Sequence, residues 1–317
     1  METAQHVARS SALDRLTLGS PLRQRRTAII VAAALFAILT FAIVINFATV
    51  ARMAQHNVAQ TFLLAIPLAA LASLVPIAII WWLDRHERES PWLYLGAVLW
   101  GMLIATALAI PANHGILSAI ANWLRMNPEV ADYFGKNAPL IVGAPIAGPL
   151  VEEITKGLGI ILLFWLLRDE FDNVRDGFVY GALVGVGFNM LETPLYVANG
   201  LAQYGFAPWG IHFGGRFALF GLAGHALFSG LFGAFLGLAR QTDKRWLKFV
   251  APVIGIALAI LSHAVNNALG LVIIVIARSL GQPLNDSDPT GDLPFHVSWI
   301  ANTIKSLIIF LPFISIL

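Results

Sequence analysis

Apolar residues run in windows of about 20 along most of the chain, the length a helix needs to cross the hydrocarbon core of a bilayer. Such windows fall near residues 27–50, 60–83, 92–111, 144–167, 176–199, 216–239, 248–277 and 296–316. The pattern predicts an all-α polytopic membrane protein of about eight transmembrane helices. A polar tail at 1–26 precedes a single transmembrane domain at 27–317, and the first window is long enough to be a retained span instead of a cleaved leader. Between the third and fourth windows, Ile116, Ile120, Trp123 and Leu124 recur at helical spacing within Pro111 to Gly143. That segment is expected to lie on the membrane surface.

Composition agrees with this reading. Of 317 residues, 58% are hydrophobic and 12% charged, and the mean hydropathy is +0.75, outside the range of a soluble domain. A net charge of +2 leaves no basic face for nucleic acid. The absence of cysteine excludes thiol nucleophiles, disulfides and thiolate metal sites. Thirteen of the twenty lysines and arginines fall in the tail and in the loops after the second, fourth and sixth windows. The positive-inside rule then puts both termini in the cytoplasm.

Glycines at 177, 181 and 185, and at 233 and 237, repeat every four residues and would let the fifth and sixth helices pack closely. Asp286, Asp288, Thr290 and Gly291 mimic half of a calcium loop, but Val297 stands where the bidentate glutamate would be. A solvated turn explains that stretch.

The polar residues inside the windows carry the chemistry. The fourth window holds Glu152, Glu153 and Lys156; later ones hold Glu192, His225, His263 and Lys305. Each ionisable group at a helix centre costs about 2.5 to 3.5 kcal/mol on insertion scales, so a cluster needs a purpose. At a rise of about 1.5 Å per residue, Glu152, Glu192, His225 and His263 reach a common level in the outer half of the bilayer. Helices four to seven, residues 144–277, would therefore enclose one polar site. Glu152 can face Lys156 four residues on, while Glu153 is turned by about 100°. One carboxylate can look into a cavity while the other is held. Two carboxylates this close do not both ionise easily, which suits a general base or acid. His263 and Asn267 share a face and could donate to an oxyanion. Lys305 reads as a snorkelling or packing residue.

At these residues the sequence resembles the PrsW family of intramembrane proteases, within the superfamily that includes the CAAX prenyl proteases and bacteriocin-processing relatives. The marks are DRHERESPW at 84–92, the glutamate pair with Lys156, DGFVYGALVGVGFNMLETPLY at 176–196, HALFSGLFG at 225–233 and HAVNNAL at 263–269. The resemblance implies a glutamic-type peptidase of the bacterial cytoplasmic membrane that cuts single-span membrane proteins such as anti-sigma factors near their outer side. By the same resemblance Glu152 or Glu153 activates the water, with Glu152 preferred. Glu192 and His225 assist proton transfer, His263 and Asn267 hold the oxyanion, and Lys156 and Phe188 support them. Glu192 departs from the prenyl protease relatives, which carry histidine there. No cofactor is required on this reading. Zinc held by Glu153, Glu192, His225 and His263 is the alternative, although no HExxH spacing is present. A proton-coupled transporter using the same buried groups is a further alternative.

Overall fold

The computed structural model describes residues 20–85, 90–135, 137–280 and 294–314. The N-terminal tail to residue 19, positions 86–89 of the DRHERESPW motif, and residues 281–293 with most of the calcium-like turn lie outside the described residues.

Two long helices open the fold, α1 (Arg25–Gln55) and α2 (Ala59–Leu83). Both are apolar around their whole circumference and leave Phe36, Phe47 and Leu71 uncovered, as lipid-facing helices do. The third helix, α3 (Pro91–Met126), changes winding along its length. It starts with proline in its first turn, becomes a π-helix over Trp100–Ala105 and returns to α from Thr106. The altered winding displaces backbone carbonyls from their usual partners. The Thr106 hydroxyl donates to Gly101 O at 3.0 Å, and Asn46 of α1 donates to Leu103 O at 3.1 Å.

The expected surface segment after Pro111 is instead a continuation of α3 to Met126. Part of its apolar face meets neighbouring helices, with Leu124 buried and Trp123 exposed. Short helices α4 (Pro128–Phe134) and α5 (Ala138–Gly143) follow, and Gly143 lies so near Leu117 that a Cβ there would stand 2.4 Å from Leu117 Cδ2. A turn at 144–146 then leads into α6 (Ala147–Leu166), which carries the glutamate pair.

The central element is α7 (Val174–Tyr204), with 22 of its 31 residues buried. A capping box starts it: Asn173 Oδ1 accepts from the Asp176 amide at 3.1 Å, and Asp176 Oδ2 accepts from the Asn173 amide at 3.3 Å. Gly205, at φ 80°, ends it, the left-handed stop that glycine adopts without a Cβ penalty. Burial on all sides needs close neighbours, and the four-residue glycine repeat supplies one of them, as the spacing predicts. At Gly185 a Cβ would sit 2.1 Å from the His225 carbonyl oxygen, so only glycine brings these two backbones together.

The sixth window divides where its hydropathy gives no warning. α8 (Trp209–Arg216) is followed by a 3-10 turn at Ala218–Gly221, and α9 (His225–Gln241) begins only at His225. Leu219 and Phe220 adopt left-handed backbone, at φ 49° and 58°, with Gly221 and Gly224 also at positive φ. The chain continues as α10 (Arg245–Ser279) and α11 (Phe295–Ile314).

The fold is an all-α polytopic membrane protein. Among the described residues, five helical stretches are long and apolar enough to cross a membrane by themselves: α1, α2, α3, Ala218–Gln241 and Arg245–Leu269. The expected eight includes α6 and α7, which carry the charged side chains of the site. α7 is enclosed by α2, α3, α6 and α9, while α6 packs on one face and leaves Leu150, Ile154, Leu158 and Ile161 exposed on the other.

Candidate active site

α6, α7, α9 and α10 bring Glu152, Glu153, Lys156, Glu192, His225 and His263 together, all buried. Adjacent in sequence, Glu152 and Glu153 point to different surroundings. Glu153 is fully enclosed: Oε1 accepts from Lys156 Nζ at 2.5 Å and lies 2.9 Å from His263 Nδ1, and Oε2 accepts from Ser229 Oγ at 3.1 Å. Lys156 thus pairs with the carboxylate three residues before it, not the one four before it. Its ammonium also lies 4.6 Å from the centre of the Phe188 ring, a cation–π contact that strengthens when water is excluded.

Glu152 has no such enclosure. Its Oε1 accepts from Asn113 Nδ2 of α3 at 3.1 Å. Its Oε2 is buried with no hydrogen-bond partner and faces His263 Nε2 at 3.9 Å. Among the described residues no lysine or arginine forms an ion pair with it.

Donor and acceptor capacity assigns the imidazoles. A carboxylate only accepts, so His263 donates its Nδ1–H to Glu153 and turns the lone pair of Nε2 toward Glu152. An ammonium only donates, so Lys156 Nζ, 3.0 Å from His225 Nδ1, donates to that nitrogen. In its neutral form His225 then carries its proton on Nε2, which lies 2.6 Å from Glu192 Oε2. The same Oε2 accepts from Arg216 Nη1. His225 and His263 stand edge to face with centroids 5.0 Å apart, and Phe228 stacks on His263 at 4.9 Å. Asn267 borders the cluster: its Nδ2 donates to Ala144 O at 3.2 Å, and a Cβ at Gly148 would lie 3.5 Å from that nitrogen and 3.2 Å from Glu152 Oε1.

A cavity of about 260 Å³ reaches Glu152, Glu192, Phe188, Asn113 and Tyr196, with Arg52 among its lining. The site so assembled contains Asn113 and Arg216, which sequence reasoning missed, and Ser229, which it quoted in a motif without a role. Asn113 falls in a stretch read as a surface segment. Arg216 reads as an outer-loop cation under the positive-inside count. A polar residue flanked by apolar runs, as Asn113 is after Ala107–Ala112, was the available signal.

Glu152, His225 and His263 can each offer one ligand atom within 4.8 Å of the others. Two of these atoms, Glu152 Oε2 and His263 Nε2, present free lone pairs. The third does not, because both nitrogens of His225 are engaged, one by the Lys156 ammonium and one by Glu192. A catalytic zinc takes three protein ligands as a rule, and the donor set as hydrogen-bonded here supplies two. Glu153, behind His263 Nδ1, is placed as an orienting partner and not as a ligand.

The family model described as PrsW family intramembrane metalloprotease matches residues 89–283. Protease PrsW of Geobacillus kaustophilus is 35% identical over 123 residues, which cover 35% of this chain and 50% of that protein. Protease PrsW of Oceanobacillus iheyensis is 32% identical over 91 residues, 29% of this chain and 38% of that protein. The chain thus spans about half the length of the first relative and less of the second. No solved structure matches. The match to the family model runs over more than half of the chain and takes in every residue of the buried cluster, and the chain belongs to the PrsW family.

Proposed function

We propose that this protein is an intramembrane peptidase in which Glu152 activates a water that attacks a peptide bond of a membrane-embedded, single-span substrate. The observation that carries the reading is the unpartnered, buried Glu152 Oε2 facing the free Nε2 of His263 at 3.9 Å. A water seated between them would donate one hydrogen to each base and turn its lone pair to the cavity. Glu152 takes one proton as the oxygen attacks the carbonyl carbon. The tetrahedral intermediate places negative charge on the former carbonyl oxygen, where the uncommitted amide hydrogen of Asn267 is available to donate. Glu152 then returns its proton to the leaving nitrogen as the C–N bond breaks, leaving a carboxylic acid and an amine. Glu153 keeps His263 in the required tautomer, and the Lys156 ammonium keeps Glu153 ionised as its partner. Phe188 and Phe228 exclude bulk water from the two imidazoles.

Zinc hydrolysis is the second reading, favoured by the grouping of Glu152, His225 and His263 within 4.8 Å. It requires His225 to give up either Lys156 or Glu192. The membrane is proposed to be the bacterial cytoplasmic one with both termini inside, on the lysine and arginine bias. The test reconstitutes the full chain in proteoliposomes with a labelled single-span peptide, apolar over about 20 residues, and identifies products by mass spectrometry. Wild type is expected to cut it, Glu152→Gln is not, and dialysis against a chelator leaves the rate unchanged. Loss on dialysis restored by zinc alone would replace the metal-free mechanism with the second reading. No cut in any condition would remove the peptidase reading for this probe class.

A further inference from the structure

Glu192 Oε2 receives two donors that come from opposite sides of the break in the chain. Arg216, the last residue of α8, donates from Nη1, and His225, the first residue of α9, lies at 2.6 Å through Nε2. Nη1 is also 3.2 Å from His225 Nε2, so guanidinium, imidazole and carboxylate meet at one point. The arginine therefore does more than neutralise Glu192. It holds the carboxylate 2.6 Å from Nε2, the acceptor that an Nε2–H needs, and in that form Nδ1 is the acceptor for Lys156. Tyr196 lies under the guanidinium, 4.5 Å from Cζ, and Asn189 Nδ2 donates to the Arg216 carbonyl at 3.4 Å.

The backbone that presents Arg216 does not hold itself. Leu219 and Phe220 are left-handed without being glycine, a conformation that costs about 1 kcal/mol or more each and persists only when surroundings impose it. α11 imposes it. Trp299 Nε1 donates to Phe217 O at 2.9 Å, Ser298 Oγ donates to Ile211 O at 3.1 Å, and the Leu219 amide donates to Thr303 Oγ1 at 3.1 Å. Phe220 meets the Trp299 ring edge-on at 5.8 Å. These bonds span the segment from both sides of Arg216. α11 begins at Phe295, beyond the last residue matched by the family model at 283.

We propose that Arg216 is a positioning residue of the peptidase centre, fixing Glu192 on the Nε2–H of His225, and that α11 sets Arg216 in place by clasping the broken segment. The proposal rests on the peptidase reading for its effect on rate and on the hydrogen-bond geometry for its effect on His225. With the single-span peptide as probe, Arg216→Met lowers kcat by about 100-fold, the loss expected from a misplaced group, while KM stays within about twofold, and Arg216→Lys recovers most of it. Trp299→Phe keeps the ring and removes one donor, and lowers kcat by less. Placed in the Arg216→Met background it causes no further loss, because the two act in series.

A readout independent of cleavage is the 15N spectrum of the full-length protein labelled at histidine in micelles. Wild type and Arg216→Lys show His225 as the Nε2–H tautomer, and Arg216→Met shows a mixture. A His225 signal unchanged in Arg216→Met, or additive losses in the double variant, overturns the proposal. If wild type cuts no peptide while the spectrum changes as stated, the peptidase reading fails and the link from Arg216 to His225 stands. If Arg216→Met does not fold, Trp299→Phe with Thr303→Val carries the same spectral test.

Discussion

Two clusters in the site have the same composition and different construction. In one, Lys156 neutralises Glu153 and Glu153 holds His263; in the other, Arg216 neutralises Glu192 and Glu192 holds His225. The first draws its acid and cation from a single turn of α6, three residues apart, and is sealed. The second draws its cation from a separate segment 24 residues along the chain from its acid, with the arginine side chain 18% exposed. One imidazole keeps a nitrogen free on the side of Glu152 and the other has none. Under the proposed mechanism the difference divides the labour: the sealed cluster would present a lone pair to the reaction, and the assembled one would form a charged wall whose integrity depends on distant parts of the fold. Glu152 belongs to neither, which is what leaves its Oε2 available.

The sharpest way to break this comparison is Glu152→Gln, which removes the carboxylate that neither cluster neutralises. Cleavage of the reconstituted peptide falls by about 10³-fold, within the range for a lost general base, with thermal unfolding unchanged or raised; a rate within tenfold of wild type would put the base in one of the two clusters. Next comes Lys156→Met, which strands Glu153 in a sealed site. Removing one partner of a buried pair costs about 3 to 5 kcal/mol, so the melting temperature in detergent drops well below that of Arg216→Met, whose carboxylate can still be reached by water. Equal drops would mean that the two clusters are sealed alike. Asn113→Leu frees Glu152 Oε1 without touching either cluster and lowers kcat by about tenfold, a loss of one hydrogen bond to a charged group; no change would show that Glu152 is aimed by α6 alone. The smallest effect is expected from Ser229→Ala, about 1 kcal/mol in denaturation, with kcat within a few-fold.

How much of this the sequence carries follows from the same contrast. The Glu153–Lys156 pair is legible because helical periodicity places residues three and four apart on one face, although periodicity could not choose between Glu152 and Glu153 as the partner. The close approach of α7 and α9 is legible in the four-residue glycine repeat. Arg216 is not, because hydropathy windows treat 216–239 as one span and say nothing of the left-handed turn at Leu219 and Phe220. The hydropathy window starts its helix at 216, yet α9 starts at His225 itself; the side chain still reaches the cluster because a broken segment and a helix can arrive at one place by different routes. Asn113 was lost for a related reason, since an amphipathic stripe looks the same whether it meets a headgroup layer or the neighbouring α5.

The π-wound turn at Trp100–Ala105 has a bearing on that last residue. Trp100 lies against Gly159 and donates from Nε1 to Thr155 O at 3.1 Å, which anchors α3 to α6 on the near side of the turn, while Asn113 meets Glu152 on the far side. A π turn holds one more residue than an α turn, and each residue advances an α-helix by about 100°. The turn therefore works as a phase shifter between two fixed contacts. Rewinding the turn as α with every residue kept would rotate the outer half of α3 by about a quarter turn, carrying Asn113 away from Glu152 without altering a single side chain of the site, whereas deleting one residue between Gly101 and Ala105 would let α3 rewind as a continuous α-helix with Asn113 still facing Glu152.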